Sequence, residues 1–277
     1  MIPADEARRG SSRDRRPPAG EKPFYENRAG TARLLLGDSL QLVPRLPEYG
    51  SLPLVFADPP YFLSNDGITC RSGRMAPVNK GAWDRLRSVS EMHAFNRRWL
   101  EICRDGLADD GSLWVSGTRH VIFSVGFAMQ ELGMKVLNDI TWEKPNPPPN
   151  LSCRYFTHST ETLLWAAKHR RSRHLFNYQE MRAAAGDKQM KSVWRMAPPG
   201  AEEKTAGRQP TQKPLALLER IIAACTRPGD IVLDPFAGSA TTGVAALKLG
   251  RSFIGIESDP GHLRLAERRL RAIEPGR

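Results

Sequence analysis

From Thr31 onward, short apolar runs alternate with helical patterns, and this alternation constrains the fold more than any other feature of the chain. Ala32–Gly37, Leu52–Ala57, Ser112–Ser116, Lys135–Trp142, Thr162–Ala167, Ile231–Leu233 and Ser252–Ile256 read as strands. Runs such as Leu52–Ala57 are apolar nearly throughout, as strands covered on both faces are. Between the strands lie helical patterns: one carrying Leu40, Leu42, Val43 and Leu46, another carrying Phe95, Trp99, Ile102 and Cys103, then Val121–Leu132. Pro214–Cys225, Ala240–Leu249 and an Arg-rich segment from Asp259 complete the set. Strands alternating with helices imply a doubly wound, mostly parallel α/β sheet of Rossmann-like form. Open sheets of this kind bind their ligands at the carboxyl ends of the strands.

Residues 1–28 mix Arg, Asp, Glu, Pro and Gly with almost no apolar pattern and read as a flexible basic tail. Residues 29–167 and 209–277 form two halves of one α/β domain, separated by a segment, 168–208, of weaker apolar periodicity. That segment holds ten Lys or Arg against four Asp or Glu, a net of +6. The whole chain of 277 residues carries a formal net charge of +11, which favours a polyanionic partner. Cys70, Cys103, Cys153 and Cys225 are scattered, with no metal-like clustering, as in a cytoplasmic protein with reduced thiols. No stretch reaches the ~18 apolar residues of a membrane span, and no apolar signal core begins the chain.

Four positions carry candidate chemistry. Asp58-Pro59-Pro60-Tyr61 follows the strand Leu52–Ala57 and so stands at a strand's carboxyl end. A nucleobase amino group is a poor nucleophile because its lone pair is delocalised into the ring. A carboxylate (Asp58) and a backbone carbonyl (Pro59) can accept hydrogen bonds from that NH2 and free the lone pair for attack on a methyl. Two prolines fix the backbone direction, and Tyr61 offers a face on which a base can stack. The bland alternative is a proline-stiffened strand exit. Next, Asp234-Pro235-Phe236-Ala237-Gly238-Ser239-Ala240-Thr241-Thr242 follows Ile231–Leu233 and opens a helix, where a small-residue turn lets a ligand approach backbone amides. It is neither GxGxxG nor a Walker sequence, which argues against a nicotinamide enzyme or a P-loop NTPase. Glu257 ends the following strand, where an acid can accept hydrogen bonds from ribose hydroxyls. Third, Asp38 ends the first strand and reads either as a contact to a ligand's amino group or as a helix N-cap. Fourth, Thr211-Gln212-Lys213-Pro214 opens a helix and could close over a bound ligand.

Together these residues resemble the β group of DNA amino-methyltransferases, the bacterial modification methylases. That group shares the order seen here: the DPPY half first, a recognition region, then the FxGxG-type half. Phe236-Ala237-Gly238-Ser239-Ala240 departs from it by Ala240 at the second glycine. The stretch Thr141–Asn150, with Arg154, Thr157, His158 and Glu161–Ala166, is similar to the family's region lining the target-base pocket. The resemblance implies a seven-stranded methyltransferase sheet, S-adenosylmethionine as cofactor and double-stranded DNA as partner. It assigns catalysis to Asp58, Pro59, Pro60 and Tyr61. The cofactor falls to Asp38, Lys213, Asp234, Phe236, Ala237, Gly238, Ser239, Thr241, Thr242 and Glu257. Adenine N6 is the expected target, since Asp begins the first motif, with cytosine N4 as the alternative and an inactive DNA-binding relative as another. Cytosine C5 chemistry needs a cysteine nucleophile after a proline, and no cysteine here follows one. The target lies inside the duplex stack, so base flipping is expected. Segment 168–208 is the candidate recognition insertion, with Lys168, Arg170, Arg171 and Arg173 on phosphates, or else a solvated basic surface. Loop Ser64–Trp83 is a candidate lid. A homodimer and a cognate restriction endonuclease are suggested by the resemblance alone.

Overall fold

The computed structural model describes residues 22–61, 68–71, 74–77, 88–207 and 212–274. Strands β1 (Tyr25–Glu26), β2 (Ala32–Leu36) and β3 (Leu52–Ala57) come first, followed by a small hairpin of β4 (Ile68–Arg71) and β5 (Arg74–Pro77). Then come β6 (Leu107–Gly117), β7 (Lys135–Glu143), β8 (Thr160–Ala167), β9 (Val193–Arg195), β10 (Ile231–Asp234) and β11 (Ser252–Glu257). Nine of them form one sheet in the order β1-β2-β11-β10-β3-β6-β8-β7-β9. The seven expected strands are its body, and the short β1 and β9 extend its two edges. The five strands from β2 to β6 are parallel, whereas β8 runs antiparallel between β6 and β7.

Seven α-helices accompany the sheet among the described residues: α1 (Ser39–Leu42), α2 (Val89–Gly106), α3 (Ile122–Glu131), α4 (Tyr178–Ala184), α5 (Leu215–Cys225), α6 (Thr241–Lys248) and α7 (Pro260–Arg271). On one face Leu42, Trp99, Leu100, Val125 and Met129 pack against Val55, Val115, Leu233 and Ile256. On the other, Leu218, Ile222, Ala245, Leu263 and Leu270 pack against Leu54, Phe56, Val232 and Phe253. Successive side chains of a strand point to opposite faces, so an all-apolar run such as β3 feeds both layers. Local signals start the helices: Ser88 caps α2 by accepting from Glu91 N, and Asp259 caps α7 with Pro260 in its first turn.

Two boundaries differ from the sequence expectation. The tail ends before residue 28, because Tyr25 is buried in the core and pairs with Leu34 across β1–β2. Residues 168–207 are woven into the body rather than set apart. Within them β9 pairs with β7, Met181 and Trp194 are buried, and the Asn177 side chain donates to the carbonyls of Ala223 and Thr226. The lid expectation at Ser64–Trp83 falls mostly outside the described residues.

Gly243 lies inside α6, and a Cβ there would sit 2.5 Å from the buried Phe253 ring. Alanine normally favours a helix over glycine. Here Gly243→Ala is expected to destabilise the protein by roughly 1–3 kcal/mol through overpacking, read as a lower midpoint in urea unfolding.

Candidate active site

The site is assembled at the carboxyl ends of four adjacent parallel strands, β2, β11, β10 and β3. At the end of β3, Asp58 is held on both carboxylate oxygens. The Tyr61 hydroxyl donates to Oδ1 at 2.6 Å, and Lys213 Nζ donates to Oδ2 at 2.6 Å. Lys213 Nζ also lies 3.0 Å from the Tyr61 hydroxyl and 3.6 Å from Glu161 Oε2, and Glu161 pairs with Lys144 in turn. Burial opposes the charge on Lys213, but Asp58, Tyr61 and Glu161 outweigh it and hold the ammonium protonated well above its ordinary range. Burial, reinforced by the Asp58 charge, keeps the Tyr61 hydroxyl protonated. Burial would raise the carboxyl of Glu161, yet Lys213 and Lys144 hold it below its usual value. The result is a part-buried network of two carboxylates, two ammonium groups and a phenol, in which Glu161 Oε2 is left without a hydrogen-bond partner.

The turn from β10 into α6 forms the opposite wall. Gly238 and Ala240 both adopt left-handed backbone, with φ of 51° and 56°. The second value shows why the related motif prefers glycine where this chain has Ala240. Asp234 braces the turn from beneath, accepting from Phe236 N at 3.0 Å and from the Thr242 hydroxyl at 2.6 Å. Burial pushes the Asp234 carboxyl up to about 7, against those two hydrogen bonds. From α7, the buried Arg269 clamps the turn by donating to Ser239 O, Ser239 Oγ and Thr241 Oγ1. Phe236 packs edge-on against Trp99 at 5.5 Å. At the end of β11, Glu257 accepts from the amides of Gly238, Ser258 and Asp259. Burial works against its ionisation, but His262 and these amides hold it below its ordinary value.

All fourteen residues expected to serve catalysis or the cofactor line a single cavity of about 340 Å³, within the range of small-molecule sites. Several of them also hold partners within the protein. Tyr61 is 6% exposed, with its hydroxyl turned onto Asp58. Lys213 grips Asp58, and the hydroxyls of Thr241 and Thr242 are engaged within the protein. Asp38 is the N-cap of α1, accepting from Leu40 N at 2.9 Å, and also lines the cavity. Thr211 lies outside the described residues. Beside the Asp58–Lys213 pair the wall carries Asp38 and Glu257 against His262, with Asp234 ionised only above about pH 7, so the wall is acid-rich although the chain is basic.

The four cations expected on DNA phosphates are not brought to this face. Because β8 is antiparallel, it begins beside the site at Thr160 and ends beside Ser112 and Lys135 at the far edge of the sheet. Lys168, Arg170, Arg171 and Arg173 therefore emerge about 23 Å away along the strand. Lys168 is spent on the Leu107 carbonyl at 2.6 Å. Conversely, Arg269 and His262 carry no sequence signal, while Lys144 and Glu161 fall in the stretches that resemble the family's target-base region without a role of their own. What the resemblance does not show is that Glu161 reaches Lys213, and Arg269 has nothing in the sequence to distinguish it from its arginine neighbours.

Such a fold, with a carboxylate-headed strand exit and a small-residue turn sharing one cavity, defines a two-part transferase site. Residues 52–268 match the DNA methylase family, and the chain belongs to it. It is 52% identical over 251 residues to the Type II methyltransferase M2.LlaDCHI of Lactococcus lactis subsp. cremoris, covering 90% of this chain and 92% of that protein. It is 47% identical to the Type II methyltransferase M2.MboI of Moraxella bovis, covering 92% and 93%. Among solved structures, the M1.HpyAVI–SAM complex superposes with a TM-score of 0.62 at 27% identity, covering 86% of this chain and 98% of that one. The protein is a DNA methyltransferase, and DNA is its substrate.

The raised Asp234 carboxyl gives a pH prediction. The folded protein keeps this proton up to about pH 7, whereas an unfolded aspartate loses it near 3.9. Stability contributed by the protonated form is thus full below the lower value and is lost as pH rises through the higher. Asp234→Asn should remove that loss, so urea unfolding should show the variant gaining on the wild type between pH 4 and 7. Parallel curves for the two proteins would refute the assignment.

Proposed function

We propose that the protein methylates N6 of adenine in DNA at a specific site, with S-adenosylmethionine as donor. The observation that carries this is Asp58, fixed on both carboxylate oxygens at the wall of a cavity shared with the glycine turn and Glu257. When bound, S-adenosylmethionine supplies an electrophilic methyl group on a positively charged sulfur. The acid-rich cavity wall suits that charge. Glu257 would take the ribose hydroxyls, Asp38 the adenine amino group, and the Phe236–Ser239 turn would border the rest. The solved M1.HpyAVI–SAM complex, at 27% identity, supports this choice of donor.

The carboxylate oxygens of Asp58 have lone pairs to spare after accepting from Tyr61 and Lys213. They can take a hydrogen bond from the target amino group, with the Pro59 carbonyl as second acceptor. In the transfer the bond from methyl carbon to the donor's sulfur would break as the bond to nitrogen forms, leaving the thioether, and the nitrogen would lose one proton, which Asp58 can accept. Lys213 holds the direction of Asp58, and Glu161 holds Lys213. Among the described residues no cysteine lines the cavity, so nothing there offers the thiol that methylation at a ring carbon requires. Asp58 at the head of the motif favours adenine over cytosine N4. The target base must leave the stack to reach this cavity. A homodimer and a cognate restriction endonuclease, the latter in keeping with the Type II names of the relatives, complete the proposal.

Sequencing of modified bases in DNA from cells making the protein should show N6-methyladenine in one sequence context. N4-methylcytosine instead would overturn the choice of base, and modification scattered without a shared sequence context would overturn site specificity. Asp58→Ala should lower methyl transfer by at least about 100-fold, while calorimetric affinity for S-adenosylmethionine is largely kept. Turnover like that of the wild type in this variant would refute the role of Asp58.

A further inference from the structure

The loop between β7 and β8 leaves and re-enters the sheet on the catalytic face. Glu143 and Thr160 pair at its base, and the Lys144 amide donates to Ser159 O at 2.7 Å. One residue past Thr160 is Glu161, whose carboxylate lies 3.6 Å from the Lys213 ammonium that grips Asp58. At the loop's far side stand two exposed aromatic residues, Tyr155 at 58% and Phe156 at 95%. Phe156 is five residues from Glu161, at most about 17 Å of chain. Its presentation is braced from within. Asn150 donates to the Tyr155 carbonyl and accepts from the Ser152 amide and hydroxyl, Tyr155 lies 5.4 Å from the His158 ring, and Pro147, Pro148 and Pro149 stiffen the approach.

The surroundings point to the partner. Residues 144–159 contain Lys144, Arg154 and His158 and no acid. Exposed Arg119 and His120 follow β6 on the same face, and exposed Arg195 ends β9 beside Glu143. Burial and Arg119 hold the His120 and His158 rings neutral, and Arg195 pairs with Glu143, so the free positive charge on this face is that of Arg119 and Arg154. A bare phenyl ring on a face with such arginines suits a polyanion that also offers an apolar interior to enter, which describes the phosphates and stacked bases of a duplex.

We propose that Phe156 is a wedge that enters the base stack of duplex DNA beside the target and holds the gap left when that base is extruded. The proposal rests on DNA methylation through base flipping as read above, and adds the residue that drives it. Unstacking costs free energy that an inserted apolar side chain offsets, and the cost is least where the base is already unpaired. Phe156 touches none of the reacting groups, so its loss should matter only when there is a stack to open.

The test uses the duplex in which the modified base has been mapped, the same duplex with that base mispaired, and the corresponding single strand. Phe156→Ala should methylate the paired duplex about 10- to 100-fold more slowly than the wild type. On the mispaired duplex and the single strand it should come within about threefold. Phe156→Trp should keep the wild-type rate on all three, and affinity for S-adenosylmethionine should be unchanged throughout. An equal loss on all three DNAs, or no loss on the paired duplex, would overturn the wedge. A wild-type protein inactive on every one of these DNAs would overturn the DNA proposal itself, and the wedge with it.

Discussion

The parallel pairing of β10 with β3, which sets Val232 beside Leu54 and Leu233 beside Val55, is the contact on which the active site rests. It places the Asp58 exit and the Asp234 turn at the same end of neighbouring strands, although well over half the chain separates them. Both strands are covered on each face, so the pairing is held by the two core layers as well as by ladder hydrogen bonds. The Lys213–Asp58 contact then ties the start of α5 across 155 positions to the end of β3. Losing that register would part the catalytic carboxylate from the cofactor wall without altering either motif.

Charge is divided in space in a way that the overall +11 conceals. The cavity wall is acidic and surrounds one buried ammonium that is compensated by Asp58 and Glu161. Arg119, Arg154 and Arg195 stand outside the cavity, at strand ends on the same face of the sheet. A cationic donor and a polyanionic substrate can thus be drawn to adjacent regions of one face. At the Asp58–Lys213 pair desolvation is met by hydrogen bonds on both carboxylate oxygens, whereas exposed charges outside the cavity act mainly through long-range attraction.

The strand–helix alternation was legible because buried parallel strands leave continuous apolar runs, and those runs located all seven body strands. The residues of DPPY and of the Phe236–Thr242 turn were legible because prolines and small residues at strand exits restrict the backbone in ways few other residues do. Roles within the cavity were less so. Thr241, Thr242 and Asp234 look like ligand contacts in a linear motif, yet their polar atoms hold the turn itself together. Arg269, which clamps that turn, lies in a helix rich in arginine, and only burial distinguishes it. Glu161 gains its place through Lys213, a partner 52 positions away that no local pattern announces.

By itself the sequence determined the fold class, the two motifs and their order, since each follows from local backbone restriction and hydrophobic periodicity. Tertiary structure alone decided which ends of the strands face one another. The antiparallel course of β8 is the clearest case. It carries Lys168 to Arg173 away from the catalytic face and brings Glu161, Arg154 and Phe156 onto it. A strand's apolar pattern is the same read in either direction, so its polarity in the sheet is set by the pairing it makes with β6 and β7.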